Sequence, residues 1–392
     1  MRSIELFAGA GGLGMGLHKA GFQPLLVVEW DRFCCATLRW NKQRRVESLT
    51  DWHLLEGDVR AVDFSPYQGQ VDLISGGPPC QPFSVGGRHR AYADTRDMFP
   101  AAIRSVRQIK PQAFLFENVK GLTRAAFRSY FEYIQLQLEH PELVAEVDED
   151  WSEHLARLRQ HHSSGSRSDL HYRVVAQVLN AANYGIPQRR ERVFFIGFRD
   201  DILVDWVFPA ATHSLDALLW EQVHGDYWER HGVAQASRRI SSRMLERAQR
   251  LTMQPPTQPW RTVRDVLRDL PDPETQPELA HEIANHRFQP GARSYPGHTG
   301  SPLDEPAKTL KAGVHGVPGG ENMLVRHNGS VRYFTVRESA RLQTFPDSFQ
   351  VSGVWSEAMR QLGNAVPVDL AYVLGTHIAQ RLAQLQPLRK LG

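Results

Sequence analysis

The chain has 392 residues, 41% of them hydrophobic and 23% charged, and a formal net charge of +3. These values are ordinary for a globular protein of two or three domains, and the small positive charge permits a nucleic-acid partner without requiring one. No apolar run approaches the roughly 18 residues of a membrane helix, and the glycine-broken stretch after Met1 is not expected to be a signal peptide. The three cysteines (Cys34, Cys35 and Cys80) do not suit a disulfide framework, which favours a reducing, cytoplasmic location.

The first 200 residues alternate short apolar segments with amphipathic ones. We predict strands over residues 3–9, 24–30, 71–77, 113–119 and 192–198, separated by segments of helical periodicity. Apolar strands that alternate with helices indicate an α/β fold, with a mostly parallel sheet and helices on both faces. Ligands of such sheets bind at the carboxyl ends of the strands, so functional residues are expected there.

A glycine-rich loop, FAGAGGLGMG, follows the first predicted strand. Its spacing Gly9-x-Gly11-x-x-Gly14 matches the dinucleotide fingerprint, and Glu29 ends the next strand, where it could bond ribose hydroxyls. Trp30 could stack on an adenine or belong to the core. The pattern predicts a nucleoside cofactor, which includes the alternative of an NAD-dependent oxidoreductase.

Cys80 lies in the segment GGPPCQPFS, where Pro78 and Pro79 stiffen the backbone and exclude a helix. A thiol held on a rigid turn suggests chemistry rather than packing.

Residues 140–170 are polar and predict an inserted helix and loop. This segment contains the adjacent pair His161 and His162, which has no cysteine or carboxylate at ligand spacing in the sequence. No metal site is therefore expected.

Residues 203–330 are rich in proline and glycine and lose regular periodicity, so we predict a second, irregular domain there. The segment from Arg238 to Asp269 contains eight arginines and only three acidic residues. Arginine binds phosphates and guanine edges, although such a cluster can also be a solvated helix face. Helical periodicity resumes over 331–392, which we expect to pack on the first domain.

Taken in chain order, the motifs FAGAGG, EW, GDV, GGPPCQPFS, ENV, QRRERVFFIGF, RESARLQTFP and GNAVP make the chain resemble the DNA cytosine-5 methyltransferases of bacterial restriction-modification systems. The resemblance covers about residues 1–200 and 331–392. It implies a Rossmann-like catalytic domain over 1–202, a target-recognition domain over 203–330 and a segment, 331–392, that completes the catalytic domain. The implied methyl donor is S-adenosyl-L-methionine, with S-adenosyl-L-homocysteine as product.

The resemblance also assigns catalytic residues. Cys80 would be the nucleophile that adds to C6 of cytosine, because C5 alone attacks a methyl sulfonium poorly. Glu117 would protonate N3 and accept from the N4 amine, since burial at a strand end raises a carboxyl pKa. Arg192 would contact O2, and Arg190 would support the catalytic loop or the substrate pocket. Asn118 is expected to order the loop.

Further contacts follow from the same motifs. The residues expected at the cofactor are Phe7, Ala8, Gly9, Gly11, Gly12, Leu13, Glu29, Trp30, Asp58, Val59, Pro78, Asn364 and Val366. The residues expected at DNA are Gln81, Ser84, Arg88, Arg90, Gln188 and Thr309.

The implied function is methylation of cytosine C5 within a short double-stranded DNA sequence, on a base flipped out of the duplex, and protection of host DNA from a cognate restriction endonuclease. A monomer, cytoplasmic and nucleoid-associated when bound to DNA, is expected. The alternatives are a tRNA cytosine-5 methyltransferase, which the long arginine-rich block disfavours, and an inactive DNA-binding regulator, which Cys80, Glu117 and Arg192 disfavour.

Overall fold

A computed structural model describes residues 1–79, 97–165, 169–296, 299–312 and 322–384. Within these ranges the first eight strands are β1 (Arg2–Leu6), β2 (Gln23–Glu29), β3 (Leu54–Glu56), β4 (Leu73–Gly76), β5 (Ala113–Val119), β6 (Tyr172–Asn180), β7 (Gln188–Arg189) and β8 (Glu191–Arg199). All of them except β7 form one seven-stranded sheet with the order β3-β2-β1-β4-β5-β8-β6.

The neighbours from β3 to β5 pair in parallel, and β8 alone runs antiparallel to both of its neighbours, β5 and β6. The predicted α/β fold with a mostly parallel, Rossmann-like sheet is confirmed. The reversal of β8 matters for the site, because it sets the first residues of β8 beside the carboxyl end of β5. In that register Arg192 pairs with Val119.

Helices cover both faces of the sheet. In the first part of the chain they are α1 (Gly12–Lys19), α2 (Arg32–Gln43), α3 (Phe99–Ile109), α4 (Arg128–Glu139) and α5 (Trp151–Ser163). After residue 330 they are α11 (Val336–Leu342), α12 (Trp355–Asn364) and α13 (Val368–Ala383). Phe114 of β5 packs into a core with α3, α4 and α5, whereas its neighbour Leu115 packs into a core with α1 and α13, because successive side chains of a strand face opposite sides.

Between these parts lies a region of short elements. Its helices are α6 (Leu215–Val223), α7 (Tyr227–Arg230), α8 (Ser242–Gln249), α9 (Val263–Leu267) and α10 (Pro277–Glu282). The remaining short strands are β9 (His213–Ser214), β10 (Gln258–Pro259), β11 (Ser301–Pro302), β12 (Ala307–Lys308), β13 (Met323–Val325) and β14 (Val331–Tyr333). As far as the structure describes the chain, no strand of this region joins the seven-stranded sheet.

The packing does not follow the predicted domain boundaries to the residue. Val204 and Trp206 pack into the core beneath the large sheet, although they follow the predicted boundary at 202. Strands β13 and β14 pair antiparallel across residue 330, so the second boundary divides a hairpin. Strand β12 also pairs with β7, which joins the small region to the segment just before β8.

The predicted insertion contains helix α5. Asp150 caps it through the backbone N–H groups of Ser152 and Glu153, and the Glu153 side chain accepts from the backbone N–H of Asp150. This reciprocal capping explains why a largely polar segment forms a helix here. Among the described helices, none combines the length and the apolar character needed to cross a bilayer.

The end of α5 corrects one expectation. Although the sequence places no carboxylate at ligand spacing from the histidine pair, the fold brings Glu139 to it: the distance from Glu139 Oε2 to His162 Nδ1 is 3.3 Å. His140 lies beside them, and burial together with the neighbouring histidines lowers its pKa to about 4. Sequence spacing missed this cluster because its members come from different elements.

Candidate active site

The glycine loop leaves β1 in an unusual backbone conformation. Phe7, Gly9 and Gly11 have φ values of 55°, 57° and 84°, in the left-handed region that glycine adopts most readily. No described heavy atom lies within 4 Å of the position that a Cβ of Gly9 would occupy, so the loop faces open space there. Ala8 and Leu13 are buried beneath it. The loop thus presents backbone, rather than side chains, to the end of the sheet.

The GNAVP segment packs directly on this loop. A Cβ on Gly12 would lie 2.2 Å from the carbonyl oxygen of Val366, a distance that no larger residue tolerates without a backbone shift. Asn364 ends α12 two residues earlier and is exposed. The structure therefore brings together the two motifs expected to share the cofactor, although Gly12 and Val366 are 354 positions apart in the sequence.

Glu29 joins the glycine loop to the end of β2. Its carboxylate accepts hydrogen bonds from the backbone N–H groups of Gly9 (2.6 Å), Trp30 (2.9 Å) and Asp31 (2.8 Å). Burial raises the pKa of this carboxyl above its ordinary value. A carboxylate has about four acceptor positions, so these three bonds leave one on Oε2 for a ligand hydroxyl.

Trp30 is 68% exposed, which rules out the alternative of a core tryptophan. A flat aromatic face therefore stands in solvent next to the buried carboxylate of Glu29. This pair has the chemistry of a nucleoside site, with a hydroxyl acceptor beside a stacking surface.

Asp58 follows β3 and caps the short turn Val59–Ala61. Its carboxylate pairs with Arg60 at 2.6 Å, and this hydrogen bond lowers its pKa. Val59 is buried, and its carbonyl accepts from Arg104. The Asp58 carboxylate is thus already bonded to Arg60 at the place where a cofactor contact was expected.

Sequence reasoning missed Glu5, which lies beneath the glycine loop. Its side chain is buried within β1, and Oε1 accepts from the backbone N–H of Gly14 at 3.0 Å. Burial raises the pKa of this carboxyl to about 8. The available signal was a single acidic residue between the apolar residues Ile4 and Leu6.

We expect Glu5 to make stability depend on pH. Between its ordinary pKa near 4.5 and about 8, folded Glu5 keeps a proton that the unfolded chain releases, so raising the pH lowers the free energy of unfolding. Glu5→Gln lacks this contribution. As the pH rises through that window, the free energy of unfolding of the variant should therefore increase relative to that of the wild type by up to about 1.4 kcal/mol per pH unit. Urea unfolding at several pH values measures the difference. Exposed Glu278→Gln is the control, and parallel curves for Glu5→Gln and wild type would contradict the assignment.

The predicted catalytic pair meets at the edge between β5 and β8. Arg192 Nε lies 2.9 Å from Glu117 Oε1, and both side chains are largely buried. Burial raises the pKa of Glu117, although Arg192 and Arg190 oppose the shift. The other carboxylate oxygen of Glu117 faces Gly77 at the end of β4. The acid therefore points toward the chain that leads to Cys80.

Asn118 has the ordering role that was predicted for it. Its Nδ2 donates to the carbonyl oxygen of Pro78 at 3.0 Å, and its Oδ1 accepts from the backbone N–H of Val119. The backbone N–H of Met98 donates to the carbonyl oxygen of Pro79. These bonds fix the residues just before Cys80 beside Glu117.

Five predicted residues lie outside the described ranges: Cys80, Gln81, Ser84, Arg88 and Arg90. The described residues nearest to them in sequence are Pro79 and Asp97, and the hydrogen bond from Met98 to Pro79 brings the two ends of the segment together.

The structure places Arg190 on backbone groups of two other segments, and its predicted support of the catalytic loop or the substrate pocket stays a prediction. Its side chain is completely buried and donates to the carbonyl oxygens of Leu310 (3.2 Å) and Gly363 (2.8 Å). Arg190 thus ties the strand region to the small region and to α12. Because its guanidinium donates to these backbone carbonyl oxygens, Arg190 holds the segments in position relative to one another.

Two residues predicted to contact DNA bond neighbouring segments, Gln188 from a buried position and Thr309 from a half-buried one. Gln188 is buried, accepts from the backbone N–H of Leu310 and donates to the side chain of Gln343. Thr309 donates its hydroxyl to the carbonyl oxygen of Arg189 at 2.8 Å. These bonds fasten the chain that follows β12 to β7, and contact of Gln188 and Thr309 with DNA stays a prediction.

The arginine cluster is partly neutralised. Arg238, Arg247 and Arg264 form ion pairs with Glu229, Asp216 and Asp304, respectively. Arg243 and Arg250 are exposed at α8. Only part of the predicted positive charge is therefore directed to solvent.

Comparisons with known proteins agree with these motifs. The sequence model of the C-5 cytosine-specific DNA methylases matches residues 1–142 and 164–380. Over 97% of its length the chain is 31% identical to the Type II methyltransferase M.Eco47II of Escherichia coli and 33% identical to M.PspPI of Psychrobacter sp. (strain TA137), covering 79% of each.

Among solved structures, a prophage-encoded Escherichia coli protein is similar in fold, with a TM-score of 0.58 and 21% identity over 98% of this chain and 99% of that one. The S. pombe Dnmt2 methyltransferase has a TM-score of 0.52 and 18% identity over 99% of both chains. Because the family match spans most of its length, the chain belongs to the C-5 cytosine-specific DNA methylases, which transfer a methyl group from S-adenosyl-L-methionine to cytosine in DNA.

Proposed function

We propose that this DNA cytosine-5 methyltransferase acts through a covalent bond between the Cys80 sulfur and C6 of a cytosine flipped out of the duplex. The observation that carries the proposal is the meeting of three features at one sheet edge. Glu117 and Arg192 form a buried pair, and Asn118 bonds the chain that leads from β4 to Cys80. The glycine loop follows β1, the strand next to β4, and faces open space at Gly9.

The chemistry follows from the weak nucleophilicity of cytosine C5. Addition of the Cys80 thiolate to C6 makes C5 enamine-like, and transfer of a proton from Glu117 to N3 stabilises the adduct. S-adenosyl-L-methionine would supply the methyl group to C5, with S-adenosyl-L-homocysteine as the leaving group. When a base removes the C5 proton, the C–H electron pair restores the C5–C6 double bond, the thiolate leaves and N3 returns its proton to Glu117.

Glu117 suits the role of proton donor because burial favours its neutral form. Arg192 holds the carboxyl in place and, beside the base, would bond the cytosine O2. The N4 amine would donate to the remaining Glu117 oxygen, which distinguishes cytosine from thymine.

The residues at the carboxyl ends of β1 and β2 suit S-adenosyl-L-methionine. Glu29 would accept from the ribose hydroxyls, Trp30 would stack on the adenine, and the open backbone at Gly9 would admit the methionine part. Asn364, exposed at the end of α12, would bond the methionine end.

Trp30→Ala is expected to weaken binding of S-adenosyl-L-homocysteine by about 5- to 150-fold, because aromatic stacking on a base contributes about 1–3 kcal/mol. Calorimetric titration of the folded variant measures the effect. Trp40→Ala is the matched control, since Trp40 is also an exposed tryptophan but lies on α2 and bonds Gln350. Equal affinities for Trp30→Ala and wild type would place the adenine elsewhere.

Double-stranded DNA with a short specific sequence is the proposed substrate. The curated relatives are Type II methyltransferases by name, and the region 203–330 is large enough to read a duplex. We extend this to a monomeric cytoplasmic enzyme, associated with the nucleoid while bound to DNA, that protects host DNA from a partner endonuclease. A tRNA substrate is the second candidate.

Methyl-labelled S-adenosyl-L-methionine, offered with unmethylated plasmid DNA and with unmodified tRNA, separates the two candidates. The expected result is labelled 5-methylcytosine from DNA alone, at a single short motif when the product is sequenced after bisulfite treatment. Label in tRNA alone would overturn the DNA assignment.

A further inference from the structure

A cluster of ligating side chains lies outside the proposed active site. It is formed where α4 and α5 end and where β6 begins. Its members are Glu139, His140, His161, His162 and His171.

The spacing within the cluster is that of a metal site. His162 Nδ1 lies 3.1 Å from His140 Nε2 and 3.3 Å from Glu139 Oε2. Ligand atoms about 2.0–2.1 Å from a tetrahedral zinc ion are separated by roughly 3.3 Å. The ligand atoms of these three residues all lie within 4.8 Å of one another. A single ion at their centre would therefore need little movement of the backbone.

The surroundings also favour a cation. Oε2 of Glu139, the candidate ligand atom nearest to His162, is buried and has no hydrogen-bond partner within the described part of the chain, and the same holds for Nε2 of the neighbouring His161. Buried polar atoms without partners are rare and require an explanation. The ring centroids of His161 and His171 each lie 4.9 Å from that of His140. Two further imidazoles are therefore close to the pair formed by His140 and His162. Imidazole nitrogens with one carboxylate oxygen form a donor set that suits zinc-class ions.

Part of the cluster lies outside the residues that the family model matches. The methylase family match ends at residue 142 and resumes at 164, and His161 and His162 fall between the two matched ranges. Glu139 and His140 lie at the end of α4, immediately before that segment. A bound ion would thus join the inserted helix to the catalytic domain.

We propose that Glu139, His140 and His162 bind one divalent transition-metal ion of the zinc class, which holds the end of α5 against the end of α4. The ion stabilises the insertion and takes no part in methyl transfer. The site is independent of the proposed catalytic mechanism.

Zinc titration of the untagged full-length protein, stripped of metal with a chelator, tests the proposal. Calorimetry should give one tight site per chain, zinc should raise the melting temperature, and Mg²⁺ should not. Cobalt should give the visible absorption of a tetrahedral nitrogen and oxygen site. Absence of a saturable zinc site in the wild type would overturn the proposal, and the cluster would then be only a hydrogen-bonded histidine pair.

His162→Gln is the informative variant, because the His162 side chain is 52% exposed and its loss should not disturb the core. We expect it to weaken zinc binding by more than about tenfold and to remove the zinc-dependent rise in melting temperature. Glu139→Gln should act in the same direction. His53→Gln, at an exposed histidine away from the cluster, is the control. Unchanged zinc affinity in both ligand variants would contradict the assignment.

Discussion

Replacing Cys80 with alanine is expected to abolish formation of 5-methylcytosine, with a loss of about 10⁴-fold or more in turnover. Without the thiolate no bond forms at C6, and C5 remains a poor nucleophile. The expected loss is in the chemical step, so the variant should still bind DNA and S-adenosyl-L-homocysteine. Methyl transfer to plasmid DNA, measured beside both binding affinities, separates these quantities.

The other two cysteines cannot replace Cys80. Burial raises the pKa values of Cys34 and Cys35, that of Cys35 to about 12, so both stay protonated near neutral pH. Cys34→Ala is the matched control and should keep its activity per folded molecule. DNA carrying 5-fluorocytosine should trap a covalent complex with the wild type and with Cys34→Ala, but not with Cys80→Ala. A trapped complex in Cys80→Ala would show that another residue is the nucleophile.

Glu117→Gln is expected to lower turnover by about 10²- to 10⁴-fold, the usual contribution of a general acid. Glutamine has nearly the same shape and retains an acceptor for the N4 amine, but it has no proton to give N3. DNA affinity should therefore change much less than turnover. Exposed Glu191→Gln, next to Arg192 and paired with Lys120, is the matched control.

The pH profile adds a readout that a purely structural role for Glu117 would not produce. Because burial raises its pKa, wild-type turnover should fall as rising pH removes the Glu117 proton, while ionisation of Cys80 produces the rise on the acidic side. In Glu117→Gln the fall on the alkaline side should disappear. If the variant kept the same alkaline fall, another group would be the acid.

Much of the large sheet and its cofactor edge could be predicted because both depend on local sequence. Apolar runs of strand length and the helical periodicity between them indicated an α/β fold. The glycines at positions 9 and 11 are needed for left-handed backbone, which is a steric property of the residues themselves. Glu29 and Trp30 were identified from their position at the end of a strand.

The tertiary structure decided which polar side chains remain available. Arg190 and Gln188 occur in the same motif as Arg192. Their side chains form hydrogen bonds to other segments of the chain, whereas the side chain of Arg192 forms an ion pair with Glu117. The difference lies in the packing of the segment before β8 against Leu310 and Gly363, which come from distant parts of the chain and are not specified by the motif itself.

The same reason explains the residues that sequence reasoning missed. Glu5 lies in the buried part of β1, and its contact with the glycine loop is seen only when the backbone N–H of Gly14 is found donating to it. Glu139 and His162 are 23 positions apart and meet because α4 and α5 end side by side. The sequence alone determined the family, the order of the elements and the nucleoside type of the cofactor expected at the ends of the strands, because these follow from residue type and local spacing. Burial and hydrogen-bond partners depend on contacts between distant segments, so only the tertiary structure decided the role of each polar residue.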